Sequence, residues 1–171
     1  AVRTVLAGAV DGGLRNPPVR WLMIAGVFTA GTGIYVFYAL QPFLLQLYGH
    51  PDAYSVAGLA AALVAGAQIL GGLLARWTPR LFRHRTTVLI AAFAANTLVL
   101  VGLGLVNSLA AALVLVAVWS MVSAIAVPVR QAFVNGLIPS AQRATVLSFD
   151  SLMGSAGGVV TQPALGRVAD V

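Results

Sequence analysis

The sequence contains no cysteine, no lysine and no glutamate. Without cysteine, the chain has no disulfide framework, no thiolate metal site and no thiol nucleophile. Charged residues of any kind are scarce, at 8% of 171 residues, whereas soluble domains carry about 25%. Hydrophobic residues make up 60% of the chain, and long stretches are apolar all the way round the helical wheel. These features indicate that lipid, not water, is the outer solvent.

The charges that are present are ten arginines and four aspartates, which give a net charge of +6. A basic excess is also found in proteins that bind nucleic acid. Here the arginines lie at the ends of apolar runs and form no basic face, so we predict no nucleic-acid partner. The predicted partner is the lipid bilayer.

Five segments are long and apolar enough to be membrane spans, since about 30 Å of hydrocarbon needs about 20 helical residues. We place them at residues 21–48, 53–75, 86–106, 109–134 and 144–166. The 44 uncharged residues 86–129 are too many for one crossing, so Asn107 and Ser108 are predicted to form a polar turn. The alternation of barrel strands is not found. The predicted fold class is therefore all-α and polytopic, with one transmembrane domain over residues 21–171.

Residues 1–20 precede the first span and have two interpretations. Apolar residues at helical spacing predict a short interfacial helix: Val2, Val5, Leu6, Ala9 and Val10. Gly12-Gly13 and Asn16-Pro17-Pro18 are helix breakers, which favour a solvated cytoplasmic linker. The sequence leaves both interpretations open.

The arginines predict the orientation of the chain. If five helices alternate in direction, nine of the ten arginines lie on one side and only Arg167 lies on the other. The positive-inside rule places the arginine-rich side in the cytoplasm. We therefore predict a multi-pass protein of the plasma or inner membrane with a cytoplasmic N-terminus.

The segment after the second span, GGLLARWTPRLFRHR, resembles the signature cytoplasmic loop of the major facilitator superfamily. In that signature a glycine is followed by leucine, an acid, arginine and a basic cluster. Gly71, Leu73 and Arg76 match, and Arg80, Arg83 and Arg85 supply the cluster, but Ala75 stands where the acid would be. Residues 128–148 and 162–170 are similar to the tenth helix, its following loop and the eleventh helix of bacterial members, which include drug and small-solute permeases.

This resemblance implies that the chain corresponds to helices seven to eleven of a transporter with two six-helix halves. It also implies alternating access around a site near the bilayer midplane. On this interpretation the N-terminal half and the last helix are missing from the chain, and they are its expected partners together with a small-molecule substrate. In such a half, the helices form two related triplets, and spans one and four are corresponding helices of the two triplets. Pro42 and Pro128 occupy similar positions in these two spans.

Span five has two different faces. Ser148, Ser151, Ser155 and Gln162 fall within an arc of about 60° and are typical of a watery cavity. Asp150, Gly154, Gly157 and Thr161 fall about 120° away and form a small-residue face on which a neighbouring helix packs closely. Gly154 and Gly158 also make a GxxxG pair, which we interpret as a packing motif.

Asp150 is the single acid inside a predicted span, where a charge costs about 2.5 to 3.5 kcal/mol on insertion scales. One interpretation makes it a proton-coupling or substrate-cation site. The alternative is a structural ion pair with Arg130, or a solvated position near the cytoplasmic end of the span. Both interpretations stay open at the level of sequence.

Other polar and aromatic residues are candidates for the substrate cavity. Tyr35 and Tyr38 share a face of span one and offer rings and hydroxyl groups. Trp119 and Ser123 share a face of span four, with Ser120 beside it. Ordinary helix packing or interfacial anchoring explains all of them equally well. Gln41 and Gln68 are minor candidates. The resemblance implies that span three, which carries Asn96, lies toward the periphery.

No enzyme motif, metal-ligand spacing or phosphate-binding loop is present, so we predict no catalytic residue, no metal and no cofactor. The predicted function is that of a fragment of a secondary transporter for drugs or small solutes, driven by protons. The alternative is a non-transporting membrane scaffold or sensor built from the same helices.

Overall fold

The structure, a computed structural model, describes residues 13–50 and 52–169. These residues form six α-helices and one 3₁₀ turn, with no strand among them, so the all-α prediction is confirmed. The helices are α1 (Pro17–Tyr48), α2 (Tyr54–Ala75), α3 (Thr78–Leu81), α4 (Arg85–Leu105), α5 (Leu109–Leu137) and α6 (Arg143–Ala169), and the 3₁₀ turn Ser140–Gln142 precedes α6.

Four of the helices, α1, α2, α4 and α5, are long and apolar enough to cross a membrane. Their outer surfaces carry large apolar side chains, such as Leu98 and Leu105, that are more than two-thirds exposed and suit a lipid solvent. Helix α6 has 27 residues but is not among the helices that are apolar enough to cross a membrane. Its serines, threonines, glutamine and aspartate lower its mean hydropathy. Its crossing of the bilayer stays a prediction.

The start of α1 differs from the sequence prediction. The linker was expected to reach residue 20, but α1 begins at Pro17. The prolines that read as breakers in fact begin the helix, because the missing N–H of proline is not needed in the first turn and its φ is already helical. Arg20 N donates to Asn16 O at 2.8 Å and closes that turn. The segment for which an interfacial helix was considered, residues 1–12, lies outside the described residues.

Glycine ends α1. Gly49 has a φ of +83°, which a residue with a side chain rarely adopts, and its N–H donates to Leu45 O at 3.0 Å. This is the usual glycine stop of a helix. The predicted polar turn at Asn107 and Ser108 also lies between two helices, α4 and α5.

The chain divides into two compact units, and the boundaries fall within α1 and α5. The terminal unit contains the described residues up to Leu40 and from Val134 onward. Its core is formed by Val19, Met23, Val134, Ile138 and Val146, which are at most 4% exposed. Arg143 Nη2 donates to Asn135 O at 3.0 Å, so a cation stabilises carbonyl groups near the end of α5.

The central unit contains Gln41–Phe133. Small side chains dominate the buried positions of its helices: Ala60, Ala67, Gly71, Ala92, Ala112 and Ser120. On α5, Ala112, Val116 and Ser120 repeat every four residues and are at most 1% exposed, which defines one packing stripe. Small residues let backbones approach closely, which is how helices associate in lipid.

Candidate functional site

The cavity candidates from the sequence divide between the two units. In the terminal unit, Tyr35 and Gln162 are half-buried, whereas Tyr38, Ser151 and Ser155 are exposed. In the central unit, Gln41 and Gln68 are exposed, Trp119 and Ser123 are half-buried, and Ser120 is fully buried. Their environments therefore differ, although the sequence placed them in one class.

Helix α6 packs against α1 through its glycine face. A Cβ added at Gly157 would overlap the carbonyl oxygen of Val27, and one added at Gly31 would overlap the Thr161 hydroxyl. Gly154 lies against Ala30, with 3.3 Å between the Ala30 Cβ and the position that a Cβ at residue 154 would take. The predicted packing role of this small-residue face is confirmed.

The serine face of α6, about 120° from its glycine face, stays exposed and carries hydroxyl groups. Ser148, Ser151 and Ser155 are all exposed within the described chain. The Ser155 hydroxyl donates to Ser151 O at 3.1 Å within the same helix, which is a common way for a helix to satisfy a serine. A stripe of hydroxyl groups therefore remains on the surface of the terminal unit, away from α1.

The two coupling or ion-pair candidates lie in different units. Asp150 is half-buried on α6, and Arg130 is half-buried on α5. Neither side chain is without an interaction partner. Their mutual pairing and a coupling role both stay predictions.

The central unit contains a polar contact that sequence reasoning missed. Asn96 Nδ2 on α4 donates to Ser123 Oγ on α5 at 3.2 Å. Ser123 was a cavity candidate, whereas Asn96 was expected at the periphery. The available signal was the amide itself, because an amide in a span hydrogen-bonds across helices rather than facing lipid.

Two buried oxygens of the central unit have no hydrogen-bond partner among the described residues. They are Asn96 Oδ1 and Ser120 Oγ. Unsatisfied buried polar atoms are rare and costly. Ser120 is 0% exposed, so its hydroxyl lies within the helix packing of the described chain, and its role in a solute cavity stays a prediction.

The signature segment divides into a helix end and a basic loop. Gly71 and Leu73 belong to α2 rather than to a loop. A Cβ at Gly71 would overlap Met121 O and come within 2.9 Å of Ala124 Cβ, so this glycine lets α2 and α5 touch. Leu73, by contrast, is 54% exposed.

The arginines of the same segment follow the end of α2. Arg76 caps α2, Arg80 lies in α3, Arg83 follows α3, and Arg85 begins α4. All four are exposed. The guanidinium carbons of Arg76 and Arg80 lie 5.3 and 4.5 Å from the centroid of the Trp77 ring, at cation–π distance.

A cavity of about 410 Å³ lies among these residues, within the central unit. Three arginines contribute to its wall: Arg76, Arg83 and Arg85. Arg85 Nη1 donates to Ala132 O on α5 at 2.8 Å, which joins α4 to α5 beside the cavity. The rest of the wall is apolar apart from Thr78: Gly72, Ala75, Pro79, Phe82, Val88, Pro128, Val129 and Ala132.

Metal ligands do not cluster in the part of the chain that the structure describes. No group of three or more His, Cys, Asp or Glu residues there is arranged to hold an ion. The arrangement instead offers guanidinium groups, hydroxyl groups and aromatic rings, which bind anions and organic solutes through hydrogen bonds, charge and stacking.

Comparison with known proteins gives one finding. The sequence model described as Major Facilitator Superfamily matches residues 4–162. No curated protein and no solved structure matches the chain. The matched segment covers most of the 171 residues. It includes the basic loop, α4, α5 and the glycines at which α6 contacts α1. The chain therefore belongs to the major facilitator superfamily of membrane transporters.

Proposed function

We propose that this chain forms most of the C-terminal half of a secondary active transporter. In this proposal it corresponds to helices seven to eleven, and a second half and a last helix complete the transporter. The observation that carries the proposal is the family match over residues 4–162. Members transport by alternating access, in which two halves rock around a central site.

The packing of the terminal unit supports a rigid-body role. Alternating access needs helices that move together, and the backbone contacts of α6 with α1 leave no room for even one methyl group at Gly157. The exposed hydroxyl face of α6 supports a cavity role. A serine hydroxyl can form hydrogen bonds with water or protein but not with lipid tails, so contact with lipid costs free energy. The proposed cavity surface of this half includes Ser151, Ser155 and Gln162.

The proposed substrate is a drug-like or other small organic solute, and the proposed direction is export. Aromatic rings support this class because they stack on flat solutes and also donate through their polar atoms. Tyr38 is 69% exposed and Tyr35 is half-buried, so both rings are accessible on the chain. The proposed location is the plasma or inner membrane with a cytoplasmic N-terminus, supported by the arginine distribution.

The proposed coupling ion is the proton, and the proposed carrier is Asp150. It is the single acid within the predicted spans, where a carboxylate exists at a cost unless it is paired or protonated. In this proposal the Asp150 carboxyl group carries the proton from one side of the membrane to the other, as its surroundings change. Alternating access changes those surroundings in every cycle.

The test is transport by the full-length protein that contains this chain, purified and reconstituted in liposomes with a proton gradient. We expect gradient-driven flux of an organic cation dye and its loss in Asp150→Asn. Asp52→Asn is the matched control, because it removes the same charge from an exposed residue between α1 and α2. Its flux should equal that of the unchanged protein.

Two results would contradict the proposal. Flux of Asp150→Asn with unchanged pH dependence would remove the coupling role. Proton-coupled flux by the 171-residue chain alone would contradict the need for a second half. A coding sequence with stop codons at both ends of this segment would instead favour the scaffold or sensor alternative.

A further inference from the structure

We propose that the arginine-lined cavity of the central unit binds the phosphate headgroup of an anionic phospholipid. The headgroup cavity, as we name it, is the space walled by Arg76, Arg83 and Arg85 together with the ends of α2, α4 and α5. Its occupant is a lipid of the leaflet that the α2–α4 connection faces. This site is separate from the proposed solute cavity.

The size and wall chemistry of the headgroup cavity suit a phosphodiester. Its volume of about 410 Å³ lies in the range of small-molecule sites, about 300–1,000 Å³. Guanidinium groups bind phosphate oxygens through paired N–H donors. Arg85 donates one N–H to Ala132 O. This bond fixes the position of the guanidinium group and leaves further N–H donors for an anion.

Acidic residues are scarce around the arginines of the headgroup cavity in the part of the chain that the structure describes. No Asp or Glu occurs between Asp52 and Asp150, and Asp52 lies beyond the far end of α2, whose 22 residues extend about 33 Å. Within the described residues, Arg76 and Arg83 make no ion pair or hydrogen bond. Two neighbouring cations without an acid among the described residues favour the binding of an external anion, and lipid phosphate is abundant at a membrane surface.

The surroundings of the headgroup cavity suit a lipid better than a free anion. Phe82, Val88 and Val129 line it with apolar surface, which a hydrated inorganic ion does not use. Leu73, Leu74 and Leu81, which are close in sequence to lining residues, are 45 to 76% exposed and supply apolar surface for lipid. Trp77 is 41% exposed, and tryptophan is enriched at headgroup depth in membrane proteins.

The test is native mass spectrometry of the full-length protein that contains this chain, with phosphatidylglycerol or phosphatidylcholine at equal concentrations. We expect phosphatidylglycerol to be retained at least tenfold more strongly. Each basic residue near a membrane surface contributes about a fivefold gain in affinity for anionic lipid, so Arg76→Gln/Arg83→Gln should weaken retention by more than tenfold. Arg76→Lys/Arg83→Lys keeps the charge and should retain most of the lipid.

The matched control is Arg20→Gln/Arg167→Gln, which removes two charges outside the headgroup cavity. Arg20 also lies beside a tryptophan, 5.7 Å from the Trp21 ring centroid, and neither Arg20 nor Arg167 lines the cavity. Circular dichroism should give equal helicity for all variants.

Equal loss of lipid in both double variants would overturn the proposal, because net charge alone would then explain lipid retention. Retention of phosphatidylcholine equal to that of phosphatidylglycerol would also overturn it, as would displacement of lipid by millimolar inorganic phosphate, which would assign the cavity to a free anion.

Discussion

At the scale of single residues, glycine and serine decide how closely the helices of this protein pack. Gly71 is buried against Met121 and Ala124 of α5, whereas its neighbour Gly72 has nothing within 4 Å of the position that a Cβ would take. One methyl group therefore has opposite consequences at two adjacent positions of α2. Alanine substitutions at Gly71 and Gly72 therefore separate the effect of packing on stability from the effect of helical preference, which is the same at both positions.

We predict that Gly71→Ala destabilises the chain and that Gly72→Ala does not. Overpacking of a filled interface costs about 1–3 kcal/mol, whereas alanine is more favourable than glycine within a helix by about 0.8–1.0 kcal/mol. The measurement is the free energy of unfolding in an SDS titration followed by circular dichroism. Equal effects of the two substitutions would contradict the close contact of α2 with α5.

At the scale of helices, close glycine packing occurs in both units, and the central unit adds polar contacts between helices. In the terminal unit, α6 meets α1 backbone to backbone through Gly157 and Gly31. In the central unit, α4 meets α5 through polar groups, with Asn96 donating to Ser123 and Arg85 donating to Ala132 O. Close backbone packing and interhelical hydrogen bonds are the two main sources of helix association where lipid replaces water.

We predict that the hydrogen bond between α4 and α5 contributes modestly to stability. Interhelical hydrogen bonds in membrane proteins average about 0.6 kcal/mol and reach about 1.7 kcal/mol, so a double-mutant cycle of Asn96→Ala and Ser123→Ala should give a coupling energy in that range. Thr97→Val is the control, because the Thr97 hydroxyl bonds only within α4, to Phe93 O at 2.9 Å. Coupling between Thr97→Val and Ser123→Ala as large as that of Asn96 and Ser123 would contradict a specific contact.

At the scale of the whole molecule, the distribution of arginine defines a predicted inside and outside. The connection from α2 to α4 carries Arg76, Arg80 and Arg83, while the connection from α4 to α5 has Asn107 and Ser108 and no charge. Basic connections stay on the cytoplasmic side of a membrane. The same asymmetry predicts that the proposed headgroup cavity lies at the cytoplasmic leaflet, where anionic lipids are concentrated.

We predict that single cysteines at residues 50 and 108 react from one side of the membrane and those at 84 and 140 react from the other. The chain has no cysteine of its own, so each variant carries one thiol, and His50, Ser108, His84 and Ser140 are all exposed. The measurement is labelling by an impermeant maleimide in right-side-out and inverted vesicles. Reaction of His50→Cys and His84→Cys from the same side would overturn the topology and the transporter proposal with it.

Apolar length and the polar or glycine residues between apolar runs were enough to predict the five long helices of this protein, although not the start of α1 at Pro17 or the short helix α3. A backbone in lipid has no water to bond with, so long apolar runs become helices whatever their neighbours are, and Gly49, Asn107 and Ser108 lie where such helices end. The face of α6 that packs was also predictable, because it follows from glycine spacing and helical geometry alone. The basic loop was visible for the same reason, since its residues are contiguous.

Only the tertiary structure decided which polar residues meet. The sequence did not predict that Asn96 pairs with Ser123 or that Ser120 is buried, and both follow from how α4 and α5 pack. The tertiary structure also decided that Arg85 reaches a carbonyl 47 residues away and that Arg76 and Arg83 line the same cavity. The physical reason is that hydrophobicity acts on each helix separately, while the partner of a hydrogen bond or a charge depends on how helices cross.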